Sequence, residues 1–595
     1  LKQRKIVQWA VAYAAVAWLS LEVFDLVAEQ FFWPAWIRQS ATIVLLFGLF
    51  ITIVLAWFHG ERGRQKPGWL EMLLLTAIIA LAGHSVWTLR VQHQPVDTDT
   101  VPVASSFRTE PLPENSVAVL PCLNLSADAD QAYFADALAA ELITRLSAVS
   151  GLRIPSHTSS FAFKDKKSSV REIAALLRVR HVLECDVFGD DTRVRIATRL
   201  IDTDSGYTLW SESYNRTRAK LFDVQQDVAQ AVVEKLEINL GARERQLVNR
   251  RWTEKTEAYD EFLKAVRWQT EFPTVELIYT TLEHLERAVE LDPQFGRAYA
   301  WLAVHWVIIG NFSMAPREDT YGNVRRYAAK AIELDGELWE AYWALGWADF
   351  AGDFAWQEAE RNFRKVIGLA PGEWAGYHSL GYVLGVLGRT DEGLQAARMA
   401  IDADPLSFFP LHGLEVLLTR QRRYEASIEV TRRQAELFGW NPELEIQLVW
   451  FLVAQGREEE ARIKLGEIKI TEFEGNPLEL AVAEVLAMLG DRERALEIVD
   501  RWDREEARSV DRFYVGSLAY IHAALEDRES AIENLIETWE RREMRLLFLD
   551  YEAFDILRDD PRFAKLIHDL DLPEGVYLQA PVSDSSETSA PPESP

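Results

Sequence analysis

The hydrophobic residues follow three different patterns along the chain, and each pattern predicts a different kind of structure. The first pattern consists of three apolar stretches, at about 6–26, 41–58 and 70–89. The third stretch holds about twenty mostly apolar residues, which at about 1.5 Å per residue are long enough to cross the hydrocarbon core of a bilayer. The pattern predicts a three-helix transmembrane region over 1–90, with a buried helical bundle as the alternative.

Basic residues near these stretches predict the orientation of the spans. The loop between the first two stretches holds only Arg38, whereas the chain start and the second loop are basic. Their basic residues are Lys2, Arg4, Lys5, Arg62, Arg64 and Lys66. We therefore expect a bacterial inner-membrane protein that contacts the lipid bilayer through three spans, with a cytoplasmic amino terminus and residues after about 90 in the periplasm.

The second pattern, over 116–241, alternates strands with helices and follows a linker over 91–115 that is rich in Pro, Thr, Ser and Asp. Short apolar or alternating runs predict strands, and apolar residues at helical spacing predict helices. The predicted strands are 117–120, 152–154, 181–188, 193–202 and 207–214, and the predicted helices are 128–148, 169–177 and 221–240. This alternation predicts a small α/β domain.

The third pattern, over 252–572, is helical and repetitive. A small residue recurs at the start of each second helix with successive spacings of 34, 33, 35, 34 and 36, at Ala359, Gly393, Ala426, Ala461, Ala495 and Ala531. This is the tetratricopeptide period of two antiparallel helices per unit. We expect an all-α tetratricopeptide-repeat solenoid of about eight repeats. We also expect a loop inserted at 314–324 and a disordered tail over 573–595. The chain as a whole is therefore predicted to be multidomain.

Four segments of the α/β part resemble the TolB amino-terminal-like (FlgO-type) domain family. They read NSVAVLPCLNLSADADQAYFADALAAELITRLS, SHTSSFAFKDK, REIAALLRVRHVLECDV and RVRIATRLIDTDSGYTLWSESYNR. Cys122 stands where the family usually has phenylalanine, and Cys185 where it usually has glycine. The resemblance implies a bacterial signalling protein in which this domain lies between membrane spans and tetratricopeptide repeats.

Charge and cysteine content narrow the possible partners. The net charge of −28, with a pI of about 4.9, argues against nucleic acid, because phosphate binding needs clustered Lys and Arg. The two cysteines, Cys122 and Cys185, exclude a disulfide scaffold and a Cys-rich metal site. An oxidising compartment permits one bridge between them, and two buried thiols are the alternative.

No motif in the sequence predicts catalysis. Phosphate-loop, HExxH and paired CxxC motifs are absent, and we predict no enzyme activity, no catalytic residue, no metal and no cofactor. His157 precedes two serines in a loop of the α/β part, and His378 lies in the string GYHSLG within a repeat helix. An envelope enzyme that uses either histidine is therefore a third-ranked alternative.

The candidate binding residues lie on the first helices of the repeats, at positions that line the groove of such a solenoid. Large aromatic residues with a polar tip are favoured at peptide-binding surfaces. The predicted peptide-binding residues are Arg297, Glu340, Trp343, Trp347, His378 and Tyr382. Packing against neighbouring helices is the alternative for the aromatic ones.

Together these patterns predict an inner-membrane-anchored periplasmic scaffold that binds protein or peptide partners, in signalling or envelope assembly. The alternative is the sensory part of a transmembrane receptor. Because the sequence begins at Leu1 rather than Met, we expect in that case a cytoplasmic output domain upstream, such as a cyclase, kinase or DNA-binding domain.

Overall fold

A computed structural model describes most of the chain after residue 111. The described residues are 112–126, 132–164, 166, 168–189, 193–217, 221–266, 274–311, 314–470, 478–504 and 514–578, with scattered residues before 112. The chain divides into two compact units, 1–105 and 106–595. The α/β part and the helical repeats both belong to the second unit.

The predicted transmembrane region is not supported by the described residues. None of the helices that they form is both long and apolar enough to cross a bilayer. Only scattered residues of the three apolar stretches belong to the described part of the chain. The rest of the ranges 6–26, 41–58 and 70–89 lies outside the described residues. By this finding the prediction of three spans is wrong, and with it the bilayer contact and the inner-membrane and periplasmic location.

The α/β part is built on one mixed sheet with helices packed against it. In chain order its elements are β1 (Val117–Val119), β2 (Leu123–Asn124), α1 (Ala132–Ser147), α2 (His157–Phe161), α3 (Val170–Leu177), β3 (His181–Gly189), β4 (Arg193–Asp202), β5 (Thr208–Thr217), α4 (Leu221–Lys235) and α5 (Ala242–Val248). The strand order is β1-β3-β4-β5, and β2 also pairs with β3. β1 and β2 run parallel to β3, whereas β4 and β5 continue the sheet in antiparallel fashion.

Local sequence explains two of these elements well. α3 begins with a capping box, in which the Ser169 hydroxyl accepts the Glu172 N–H at 3.3 Å and the Glu172 carboxylate accepts the Ser169 N–H at 2.7 Å. β4 alternates as predicted, because Val194, Ile196 and Leu200 are buried. The cap thus explains where α3 begins, and the alternation explains which side chains of β4 face the core.

Helix pairs follow the α/β part and continue with the predicted period. The described residues from 256 to 540 form eight pairs: α6 (Thr256–Val266) with α7 (Val275–Leu291), α8 (Gly296–Asn311) with α9 (Arg317–Leu334), α10 (Trp339–Trp347) with α11 (Trp356–Leu369), α12 (Trp374–Val386) with α13 (Thr390–Ala403), α14 (Phe408–Arg420) with α15 (Tyr424–Phe438), α16 (Pro442–Ala454) with α17 (Glu458–Glu467), α18 (Leu478–Met488) with α19 (Arg492–Arg504), and α20 (Tyr514–Ala524) with α21 (Arg528–Glu540). The small residues that define the period lie near the starts of the second helices of six of these pairs.

Three segments differ from the pattern prediction. The predicted strand at 152–154 is a single bridge between Ser116 and Arg153. The predicted loop at 314–324 is mostly helix, because α9 already begins at Arg317. Residues 573–578, placed in the predicted tail, include a short helix whose Tyr577 is fully buried.

The last described segment folds back onto earlier repeats. It contains two 3₁₀ helices, Met544–Phe548 and Glu552–Leu557, then α22 (Pro561–Asp569) and α23 (Glu574–Tyr577). The Trp356 indole N–H donates to the Leu570 carbonyl at 2.7 Å, and the Tyr577 hydroxyl donates to the Val386 carbonyl at 3.0 Å. The end of the described chain therefore closes the core of the middle repeats.

Gly346 tests how tightly a helix pair is packed. A Cβ at this position of α10 would lie 2.5 Å from the fully buried ring of Phe363 on α11, so we expect Gly346→Ala to lower the free energy of unfolding by about 1–3 kcal/mol. Gly322, exposed inside α9, has no neighbouring atom within 4 Å of the place where a Cβ would lie, and Gly322→Ala should stabilise the protein by about 0.5–1 kcal/mol. Urea unfolding of both variants makes the comparison, and equal effects at the two sites would contradict this packing.

Candidate functional site

The most unusual polar group of the described structure lies where the α/β part meets the first repeats. Arg297, at the start of α8, donates to Glu141 of α1 and donates to Glu340 of α10 at 3.3 Å. The side chains of all three residues are no more than 3% exposed. One buried guanidinium therefore joins carboxylates from two parts of the chain, which we call the buried ion cluster (Glu141, Arg297 and Glu340).

Further polar and aromatic groups enclose this cluster. The Trp252 indole N–H donates to the second oxygen of Glu141 at 3.2 Å. The Arg297 guanidinium lies over the rings of Trp252 and Phe262, at 4.6 and 5.2 Å from the ring centroids. Buried charges are tolerated only when they are paired and hydrogen-bonded, and these neighbours meet both requirements.

Electrostatics keeps the cluster charged at its centre. Burial alone would lower the pKa of Arg297, but the charges of Glu141 and Glu340 outweigh it and raise that pKa above the ordinary value. Burial raises the pKa of Glu340, while Arg297 opposes the rise.

A second buried contact joins the α/β part to the fourth and fifth repeats. The Ser159 hydroxyl of α2 donates to the Asp404 carboxylate, and the same hydroxyl oxygen accepts the Leu406 N–H at 2.8 Å. Burial raises the pKa of Asp404, and the surrounding serine hydroxyls oppose that rise. The contact fixes α2 against the loop before α14.

This geometry gives no support to a serine hydrolase at His157. Its imidazole contacts Phe161 at a centroid distance of 6.1 Å, and burial lowers its pKa to about 4. The Ser159 hydroxyl is bound to Asp404 rather than to His157, so the nucleophile and base of a catalytic pair are not joined. Among the described residues, no group of three or more His, Cys, Asp or Glu is arranged to hold a metal ion.

The predicted binding residues divide into a buried and an aromatic set. Arg297 and Glu340 belong to the buried ion cluster, in which Arg297 contacts α1 and Glu340 pairs with Arg297, so neither lines an open surface. The indole N–H groups of Trp343 and Trp347 both donate to the hydroxyl of Ser379, at 3.0 and 3.1 Å. These two tryptophans therefore pack between α10 and α12.

His378, which is buried, and Tyr382, which is half-buried, belong to an aromatic cluster that continues into the next repeat. The ring of His378 is 5.0 Å from Tyr382 and 5.4 Å from Trp374, and Trp374 stacks in parallel on Phe409 at 5.9 Å. Phe409 is 49% exposed. Burial lowers the pKa of His378 to about 3, so its imidazole is neutral at ordinary pH. We call Trp374, His378, Tyr382 and Phe409 the aromatic patch.

Cys122 and Cys185 are joined by a disulfide bond, with their Cα atoms 4.6 Å apart. Cys185 lies on β3 and Cys122 follows β1, so the bond ties neighbouring parts of the sheet together. Both side chains belong to the main core, at 6% and 2% exposure. The bond has no exposed sulfur to offer a partner.

Sequence reasoning missed Glu141, Trp252 and the exposed Phe409. Glu141 lies inside an otherwise apolar helix run, ALAAELI, and a charged residue on a buried helix face is a signal that a partner exists elsewhere in the chain. The partner itself is 156 residues away, which no local pattern reveals.

The comparison with family models gave no match. One curated relative, "Putative adenylate cyclase 3" of Rhizobium meliloti strain 1021, is 34% identical over 236 residues, which are 39% of this chain. The match covers 40% of the relative's length, so the chain spans well under half of that protein.

Solved structures with similar folds include tetratricopeptide-repeat proteins. One from Thermus thermophilus is 14% identical, covers 33% of this chain and 99% of its own, and has a TM-score of 0.28. One from Parabacteroides merdae is 9% identical, covers 51% of this chain and 99% of its own, and has a TM-score of 0.29. The repeat architecture of this chain is defined by its eight helix pairs and their period of about 34 residues.

Arg297 is expected to dominate the stability of the interface. Arg297→Ala leaves two buried carboxylates without their cation, and removing one member of a buried ion group costs about 3–5 kcal/mol. Arg287→Ala is the matched control, because Arg287 is exposed and pairs with exposed Glu290, a contact worth less than about 1 kcal/mol. Urea unfolding measures both, and a similar small loss for the two variants would contradict the assigned role.

Half-buried Glu373, which precedes α12, should make stability depend on pH. Burial and then the charge of Asp404 raise its pKa to about 8, so the folded protein favours the protonated carboxyl. The contribution of Glu373 to the free energy of unfolding is therefore complete below about pH 4.5 and is lost as pH rises through 8. Glu373→Gln should therefore change the melting temperature little at pH 5 and raise it at pH 9, by the equivalent of about 1–3 kcal/mol. Exposed Glu290→Gln is the control, and parallel pH profiles for wild type and Glu373→Gln would refute the shift.

Proposed function

We propose that this chain is a protein-interaction scaffold whose helical repeats hold a protein or peptide partner at the aromatic patch. The observation that carries the proposal is the stack of exposed Phe409 on half-buried Trp374, beside the buried, neutral imidazole of His378. Aromatic anchors of this kind dominate the energetics of protein interfaces, because they bury a large area with few rotamers to fix.

The buried ion cluster has a supporting part in this proposal. Arg297 and Glu340 hold the α/β part against the first repeats, and the surface left for a partner lies one or two repeats further along, on α12 and α14. A partner would then meet a preorganised surface, which lowers the entropy cost of binding. The partner that fits the patch offers an aliphatic or aromatic side chain.

The domain division belongs to the same proposal. We assign 116–241 to a TolB amino-terminal-like domain, 252–572 to the tetratricopeptide-repeat solenoid, and the Cys122–Cys185 bridge to the former. The four sequence motifs support the first assignment, and the helix pairs support the second.

A second candidate is the regulatory part of a nucleotide cyclase. The 34% identity over 236 residues to a protein named as an adenylate cyclase favours it. In that case the scaffold would pass partner binding to an output domain elsewhere in the gene product. Sequencing the gene upstream of Leu1 and assaying the complete product for cyclic AMP formation tests this candidate, and a product without cyclase domain or activity would exclude it.

Selection of peptides tests the scaffold proposal. Random twelve-residue peptides displayed on phage would be selected against the purified full chain, and the best peptide synthesised. We expect Phe409→Ala and Trp374→Ala each to weaken its affinity at least tenfold, about 1.4 kcal/mol, because an aromatic anchor is lost. Met399→Ala, at a 44% exposed position of α13, is the control. Failure to select any peptide, or equal affinity for all variants, would contradict the proposal.

A further inference from the structure

The outer edge of the sheet is open at β5. β5 pairs with β4 along one side and ends the strand order, and no other strand among the described residues lies against its second side. An open strand edge exposes a row of backbone N–H and C=O groups that pair readily with another strand.

β5 carries few of the features that normally protect an edge strand, and its one irregularity, at Leu209 opposite the Leu200–Ile201 step of β4, lies near its start. Its sequence, TLWSESYNRT, contains no Lys and no Pro, and its two charges, Glu212 and Arg216, cancel. The residues around its start are exposed and apolar, with Tyr207 at 76% and Leu209 at 49% exposure. An edge strand with these properties can pair with a strand of another chain.

The edge also lies away from the repeats. The polar contacts described above between the α/β part and the repeats involve α1 and α2, whereas β5 packs on α4. Tyr214 of β5 belongs to the core, and Arg216 pairs with Asp227 of α4 at 3.2 Å. Docking of the α/β part onto the repeats therefore leaves the edge of β5 accessible.

We propose that two copies of this chain pair through β5, in antiparallel register about a two-fold axis, to form one continuous sheet. Side chains alternate between the two faces of a strand, so paired residues must lie on the same face of the joined sheet. The register that places Tyr214 opposite Tyr214 of the second copy meets this condition. It also places Glu212 opposite Arg216 of the second copy, twice, by symmetry.

Charge favours this register over the one centred on Glu212. A shift that places Glu212 opposite itself brings two like charges together, which is unfavourable for a directly opposed cross-strand pair. In the chosen register residues 211–217 of each copy overlap, and Ser213 faces Asn215. A second copy therefore supplies an opposite charge for each of Glu212 and Arg216 as well as backbone groups for pairing. A strand of an unrelated protein would supply the backbone groups but not, in general, the opposite charges.

A charge-reversal cycle tests the proposal on the full chain. We expect the wild type to sediment at micromolar concentration with twice the chain mass of 68.0 kDa. Glu212→Arg and Arg216→Glu should each weaken the dimer about tenfold, because each creates two like-charge pairs. The double variant Glu212→Arg/Arg216→Glu should restore the wild-type dissociation constant. Circular dichroism and thermal melting check that each variant is folded.

Cysteine cross-linking provides a test that does not disturb the charges. In the proposed register Ser213→Cys/Asn215→Cys places cysteines of the two copies opposite each other, at the Cα separation of about 4.5–5.5 Å that a disulfide can span. Ser211→Cys/Asn215→Cys, which would need a slipped register, is the control. Cross-linking of the first pair alone supports the proposal. A monomeric wild type, cross-linking of both pairs, or no rescue in the double charge variant would overturn it and leave the edge to a different partner.

Discussion

The structure of the described residues depends on one buried charge. Arg297 sits at the start of a repeat helix with 2% of its side chain exposed, and it is held between Glu141 of the α/β part and Glu340 of the next repeat. Desolvating a guanidinium is costly unless its partners are fixed and hydrogen-bonded. The two parts of the chain must therefore be correctly placed for this group to be tolerated, and the cluster specifies their arrangement rather than merely adding to it.

This constraint changes how the repeats are used. Positions that would line a binding groove in a free solenoid are occupied here by α1, and the return of the chain near Leu570 and Tyr577 covers a further part of the middle repeats. Two surfaces that these contacts leave uncovered among the described residues are the aromatic patch and the edge of β5. These lie in different parts of the second unit, so partner binding and self-association can be separate properties.

Sequence patterns predicted the local structure better than its long-range contacts. The alternation around Ile196, the capping box at Ser169 and the 34-residue period all correspond to elements in the structure, because each depends on neighbours close in sequence. The apolar stretches before residue 90 were interpreted from hydropathy alone, and that interpretation is overturned. Arg297 and Glu340 were selected for their repeat positions, yet their role depends on Glu141, whose distance along the chain puts it beyond any periodic pattern. Phe409 was missed because the groove positions were counted on three repeats only, and the repeat that begins with α14 was not among them.

A double-mutant cycle between Glu141 and Arg297 tests the central claim most directly. The free energies of unfolding of wild type, Glu141→Gln, Arg297→Met and the double variant would be measured in urea at pH 7. If the ion cluster joins the α/β part to the repeats, the two substitutions should be strongly non-additive, with a coupling energy of about 1–3 kcal/mol. Additivity within about 0.5 kcal/mol would show that the two side chains do not share an interaction, and the arrangement of the two parts described here would have to be abandoned.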